Sequence, residues 1–204
     1  MAARFWVGGS GTWNNTSTAN WSATSGGASG ASAPTTADTV TFDSNSGTAA
    51  TVTVAATATC STCTVNKSDI NLSLSGSPTF TSTFTLTTGT VTLNSYTLNI
   101  LSFSSSNTNA RTLAFGTGNV TLTGNAATIW NTDTSTNFTV TGTPVVNATY
   151  SGSTGTRTLI FANAAGGSEA NSTSVNISAG TDTVSLYGSG LKDINFTGFS
   201  GILS

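Results

Sequence analysis

Residues 79–93 read TFTSTFTLTTGTVTL, with threonine or serine at nearly every polar position and an apolar residue recurring at every second place. A two-residue period sends alternate side chains to opposite faces of an extended strand. Threonine is β-branched and favours that backbone. The same alternation pairs Val40 with Phe42, Val52 with Val54, Leu98 with Ile100, Val120 with Leu122 and Phe138 with Val140. It continues through Leu113 and Phe115, Leu159 and Phe161, Val175 and Ile177, Val184 and Leu186, and Ile194 and Phe196. Glycine, asparagine or serine punctuates the gaps, as at Ser75-Gly76, Thr88-Gly89 and residues 116–118. No stretch shows the 3.6-residue period of an amphipathic helix. The chain reads as all-β, built of many short strands.

The phase of the pattern shifts at the punctuation. Phe84 and Leu86 are even-numbered, Val91 and Leu93 odd, and Leu98 and Ile100 even again. A turn that re-aims the next strand produces such a shift. Charged residues make up only 6% of the 204, against about 25% in ordinary globular domains. Charges stacked at strand spacing repel, whereas hydroxyls stack well and Thr–Thr or Thr–Ser pairs contribute roughly 0.2–1 kcal/mol each. Threonine strands without charge therefore favour a parallel β-helix, or solenoid, of stacked rungs. Internal similarity points the same way: ARTLAF at 110–115 echoes TRTLIF at 156–161, and DINL at 69–72 echoes DINF at 193–196. The first offset suits two rungs of about 20–25 residues. The rival fold is an antiparallel β-sandwich, but its tight Asn-Gly or Asp-Gly hairpins are absent from the sequence.

The first 45 residues differ in style. They hold Trp6, Trp13 and Trp21, and a Gly/Ser/Ala loop from Ser25 to Ala33. A solenoid needs its end rung covered, because that rung exposes core and an unpaired edge. Residues 1–45 are therefore expected to form an aromatic cap or attachment region, and residues 46–204 the solenoid. The sequence ends in mid-pattern, so the natural chain is expected to continue or a partner to cover that end.

With no histidine and seven Asp+Glu, the chain is poor in proton carriers and is expected not to be an enzyme, and to need no cofactor or metal. Its five basic residues, Arg4, Lys67, Arg111, Arg157 and Lys192, are scattered, whereas nucleic acid requires a clustered cationic face. No apolar run is long enough for a transmembrane helix. No signal-peptide h-region follows Met1. Synthesis in a cytoplasm is the expectation, and N-x-S/T matches such as Asn20-Trp-Ser22 then carry no glycosylation meaning.

Several residues invite chemical readings. Cys60-Ser-Thr-Cys63 is a C-x-x-C, but it lies between strands rather than opening a helix. A zinc site would need further ligands. Two small interior side chains are the plainer reading. Two facing carboxylates could serve a glycosidase, with Asp69 and Asp133 as the candidates, whereas lone aspartates in turns cap backbone N–H groups. Asp38 and Asp43 suggest a calcium site only weakly; Glu169, Asp182 and Asp193 complete the acids. Arg111 and Arg157 occupy matching places in the echo, either gripping an anion or covering a rung edge with their stems. Trp130 is the candidate for stacking on a glycan, or else a core plug.

The FWVGGSGTW of residues 5–13, the NWS of 20–22 and the APTTADTVTF of 33–42 resemble autotransporter-passenger repeats and a set of large phage and marine bacterial proteins. Residues 86–124, with NTNARTLAFG, and the NFTGFSG of 195–201 are similar to the same phage-associated set. Autotransporters use a signal peptide and a membrane barrel, so the phage branch fits better. The resemblance implies a structural protein of a virion: a tail fibre, spike or capsid decoration made in the host cytoplasm. It implies other virion proteins as partners and homotrimeric assembly. The alternative is an adhesin module attaching to host-surface glycan.

Overall fold

The computed structural model describes residues 1–161, 172–188 and 190–204. Alternating threonine and aliphatic residues form strands whose apolar sides all turn inward, as in the buried–intermediate alternation of Thr97–Ile100. The strands stack in parallel on three faces around one interior. The first face comprises β1 (Ala3–Trp6), β4 (Thr39–Phe42), the start of β7 (Cys63–Leu74), the start of β9 (Thr83–Thr92) and β11 (Ser102–Ser104). It continues through β14 (Thr128–Asn131), β17 (Thr156–Ile160), β19 (Thr183–Tyr187) and β21 (Ile202–Leu203). The second face holds β2 (Gly11–Trp13), β5 (Thr51–Val54), the ends of β7 and β9, β12 (Arg111–Ala114) and β15 (Phe138–Thr141). The third is a seven-stranded sheet of β6 (Thr59–Cys60), β8 (Thr79–Phe80), β10 (Thr97–Ile100), β13 (Asn119–Leu122), β16 (Val145–Ala148), β18 (Thr173–Ile177) and β20 (Leu191–Asn195).

This is the expected β-solenoid. The antiparallel sandwich is excluded, because among the described residues the one antiparallel pairing joins β1 to β3 (Trp21–Ser22). That pairing lies at the N-terminal end of the first face, where β3 covers an edge that another rung would otherwise occupy.

The phase shift in the sequence has a structural cause. β9 runs unbroken round the corner between the first two faces, and its burial alternation slips at Thr87-Thr88. Gly89 makes the bend with φ +97°. A Cβ there would stand 2.5 Å from the Lys67 carbonyl oxygen, so only glycine fits.

Rung length varies. Bonded partners on adjacent rungs are 19 residues apart at Thr83 and Ser102 but 29 at Asn147 and Asn176. The echo between residues 110–115 and 156–161 is therefore not a structural repeat. Leu113 lies on the second face opposite Val140, whereas Leu159 lies on the first face opposite Trp130 and Leu186. Likewise Asp69 belongs to β7 and Asp193 to β20 on the third face. Like strands recur wherever a rung needs an edge, so similar strings arise on different faces.

Inside, aromatic rings stack along the solenoid. The series Trp13, Phe80, Phe84, Phe103, Trp130 and Phe161 has successive centroid separations of 5.0, 6.1, 6.0, 4.5 and 5.6 Å. Interplanar angles stay between 10° and 24°.

Candidate functional site

Trp6, Trp13 and Trp21 are completely buried. Trp21 meets Trp6 edge-on at 5.0 Å and Trp13 at 5.4 Å, and Phe42 lies within about 6 Å of all three. The Trp6 indole N–H donates to the Gly9 carbonyl at 3.0 Å. Those of Trp13 and Trp21 have no partner, each costing roughly 1–3 kcal/mol; apolar burial holds the cluster together despite them. No indole face of the three is offered to a partner, so docking at this end has to use other residues.

Trp130 corrects the glycan-stacking expectation. It is 2% exposed, with Phe103 and Phe161 stacked on it at 4.5 and 5.6 Å. A sugar has no access to the ring.

The proposed carboxylate pair is not brought together. Asp69 belongs to β7, and Asp133 follows β14 three rungs further on. Three strand spacings of about 4.8 Å exceed the roughly 5–10 Å that glycoside hydrolysis uses. Asp69 instead pairs with Lys67 at 2.8 Å and accepts the Ala49 N–H. These contacts, the Lys67 bond foremost, hold its carboxyl below the usual range. A depressed carboxyl is the wrong state for a general acid.

Asp38 is a turn cap rather than a calcium ligand. Its oxygens accept from the Ala2 N–H, the Thr35 N–H and the Thr35 hydroxyl, at 2.7, 3.0 and 2.8 Å. Burial opposes its charge, but these hydrogen bonds and nearby Arg4 outweigh it and lower the pKa. Because the folded value is depressed, Asp38 stabilises the fold above its unfolded pKa near 3.9, and that contribution is lost as pH falls through the folded value. Asp38→Asn should cost about 1–3 kcal/mol at neutral pH. In acid-titrated thermal melts, the gap between parent and variant should close as the carboxylate protonates.

Asp43 accepts the Asn45 N–H within its own turn. Asp193 accepts from the Ser174 hydroxyl at 3.2 Å. Glu169 lies outside the described residues. Cys60 and Cys63 are free and fully buried, and burial together with contact from Cys60 pushes the Cys63 thiol well up. A buried protonated thiol is a poor nucleophile. Among the described residues, no group of three or more His, Cys, Asp or Glu could hold a metal ion.

Both arginines that the echo singled out are buried whole, not merely along their stems, and neither reaches an external anion. Arg111 is 2% exposed and donates to the carbonyls of Ser105, Asn109, Thr134 and Thr136 and to the Ser105 hydroxyl. It ties together the corner loops of two rungs. Arg157 and Asp182 form an ion pair with no exposure, at 2.6 and 2.8 Å. Tyr150 and Phe199 flank the guanidinium at 5.3 and 5.9 Å.

With the interior closed, the exterior carries whatever the protein presents. The outward positions form columns. On the second face, Thr51, Asn71, Thr90, Thr112 and Thr139 are successive partners, and beside them run Thr12, Thr53, Ser73, Thr92, Ala114 and Thr141. On the third face, Asn119, Asn147 and Asn176 bond to one another at 3.2 and 2.8 Å. The expected hydroxyl stacking is present on the first face as well, where Thr83 and Ser102 bond at 2.8 Å. Threonine columns were legible in the sequence, but the second face was not, because the unequal rungs hide which triplets are neighbours. Recurrence of Thr-Val-Thr at 51–53, 90–92 and 139–141 was a partial signal, since the same triplet at 39–41 lies on the first face. A surface pocket of about 100 Å³ beside Thr143, Pro144, Val145, Ser174 and Lys192 is well below the roughly 300 Å³ of typical ligand sites.

No protein-family model, curated protein or solved structure matches this chain.

Proposed function

We propose that this chain is a non-enzymatic structural element of a phage particle, a rigid segment of a fibre, spike or capsid decoration. The observation that carries the reading is the unbroken succession of rungs around one apolar, aromatic-lined interior. Stacked rungs contact chiefly their neighbours, which makes such a coil an extendable rod. The resemblance of residues 5–13, 20–22, 33–42, 86–124 and 195–201 to phage-associated proteins supports reading the rod as part of a virion. Virion proteins are then its partners, and a homotrimer is the assembly in which it works.

The glycan-adhesin alternative loses its main support with Trp130 buried, and the glycosidase reading of Asp69 and Asp133 loses its carboxylate pair. Antibody raised against the recombinant chain should decorate intact particles from its source population in immunogold micrographs. Labelling confined to cell surfaces or debris would overturn the assignment.

A further inference from the structure

The second face differs from the other two in ways that point to a ligand. Its strands keep register from β2 to β15, the shifts between β7 and β9 falling at the corner outside residues 71–73. The first and third faces break register within their sheets, at β14–β17 and β18–β20. Strand spacing sets the columns about 4.8 Å apart from rung to rung, and alternate residues of one strand about 6.6 Å apart. The result is a two-dimensional grid made mostly of threonines, each presenting a methyl and a hydroxyl, with Asn71, Ser73 and Ala114 at the remaining positions.

Most threonine hydroxyls on this grid are unspent, although the Ser73 hydroxyl accepts from the Asn94 amide at 3.2 Å. Among the described residues, those of Thr51, Thr53, Thr90, Thr112, Thr139 and Thr141 make no hydrogen bond within the chain, while Thr92 bonds to Asn71. Threonines at the corners behave differently: Thr88, Thr123, Thr143 and Thr149 return theirs to the carbonyl of an adjacent rung. The third-face asparagines bond to each other. The first face has a shorter threonine run, Thr41, Thr64 and Thr85, which Phe5 precedes and which Ser104, Asn131, Ile160 and Tyr187 follow in turn. No charged side chain points outward from the second-face grid, since Arg111, the charged residue of β12, is buried.

We propose that the second face is an ice-binding surface, its ligand the oxygen lattice of crystalline water. The rung-to-rung spacing is close to the shorter oxygen repeat shared by the prism and basal planes of hexagonal ice, and the spacing along the strand falls somewhat below the longer one. Waters held at each hydroxyl and packed round each methyl would therefore sit near lattice positions before contact. A charge would orient water around itself and spoil the pattern. Ala114 keeps the methyl and omits only the hydroxyl.

The proposal does not depend on the virion assignment and is tested separately. The purified chain should facet ice crystals and hold a gap between melting and freezing points in nanolitre osmometry. Thr112→Tyr, which plants a ring in mid-grid, should abolish the gap while its circular dichroism and melting temperature match those of a third-face control, Thr121→Tyr, that keeps it. Thr90→Tyr provides a second variant should Thr112→Tyr misfold. Absence of crystal shaping by the parent overturns the proposal, as does equal loss in the third-face control. Two competing occupants are read in parallel: a sedimenting oligomer dispersed by Thr112→Tyr would make the face a self-association surface, and retention on insoluble chitin or cellulose lost in that variant would make it a polysaccharide surface. Either result replaces ice as the ligand.

Discussion

Cutting Asp182 back to alanine is expected to destabilise the protein by about 3–5 kcal/mol, because it strands a guanidinium in the interior. Arg157 and Asp182 have no side-chain exposure, so neither water nor salt can screen the charge left behind. Arg157 already has one unpartnered nitrogen, Nη1. Among the described residues it keeps only the Ala179 carbonyl, at 3.0 Å, as a hydrogen-bond acceptor once the carboxylate is gone. The rings of Tyr150 and Phe199 supply partial cation–π compensation, worth about 2 kcal/mol at most in such a setting.

The informative comparison is the double replacement Arg157→Met with Asp182→Leu. Removing both charges eliminates both desolvation costs, and replacing a buried pair with apolar groups of similar volume is often neutral or stabilising. The double variant should therefore unfold within about 1 kcal/mol of the parent in guanidinium titrations followed by circular dichroism. If it is as unstable as Asp182→Ala, the pair contributes net stability here and the argument from desolvation fails. A pair of this kind is better suited to fixing register than to adding stability. Arg157 and Val184 are register partners, and Asp182 stands just ahead of β19, so the bond forms only when β17 and β19 are correctly aligned.

The strands were legible because each side-chain alternation was strong and local. Leu98 with Ile100 and Val120 with Leu122 needed only the two-residue period. β16 was harder, because Val145 lies outward and Val146 inward, so two adjacent valines conceal the alternation. β14 was hidden for a related reason: Ile129 and Trp130 are neighbours and both buried. Stacking partners were not legible at all. Corner loops of unequal length make the partner of Leu113 Val140 and that of Trp130 Leu159, and no fixed period connects them. Burial of the two arginines was unreadable for the same reason. Their partners, loop carbonyls and Asp182, come from neighbouring rungs that sequence spacing does not identify.

Trp130 gives the second large expectation. Trp130→Ala should cost about 3–5 kcal/mol, the usual price of deleting a buried tryptophan. The site cannot collapse easily, since Phe103 and Phe161 belong to different rungs held apart by their own strand ladders. The loss should also change how the protein unfolds. In a solenoid, cooperativity passes from rung to rung through nearest-neighbour contacts, and removing a central ring weakens one such link. The three remaining tryptophans, Trp6, Trp13 and Trp21, all lie at the N-terminal end, so fluorescence in this variant reports that end alone while circular dichroism reports every rung. The dichroism transition should precede the fluorescence transition in Trp130→Ala. In Trp130→Phe, which restores a ring between Phe103 and Phe161, the two should coincide. Coincident transitions in the alanine variant would mean that the strand ladders alone carry the coupling and that the aromatic stack adds stability without cooperativity.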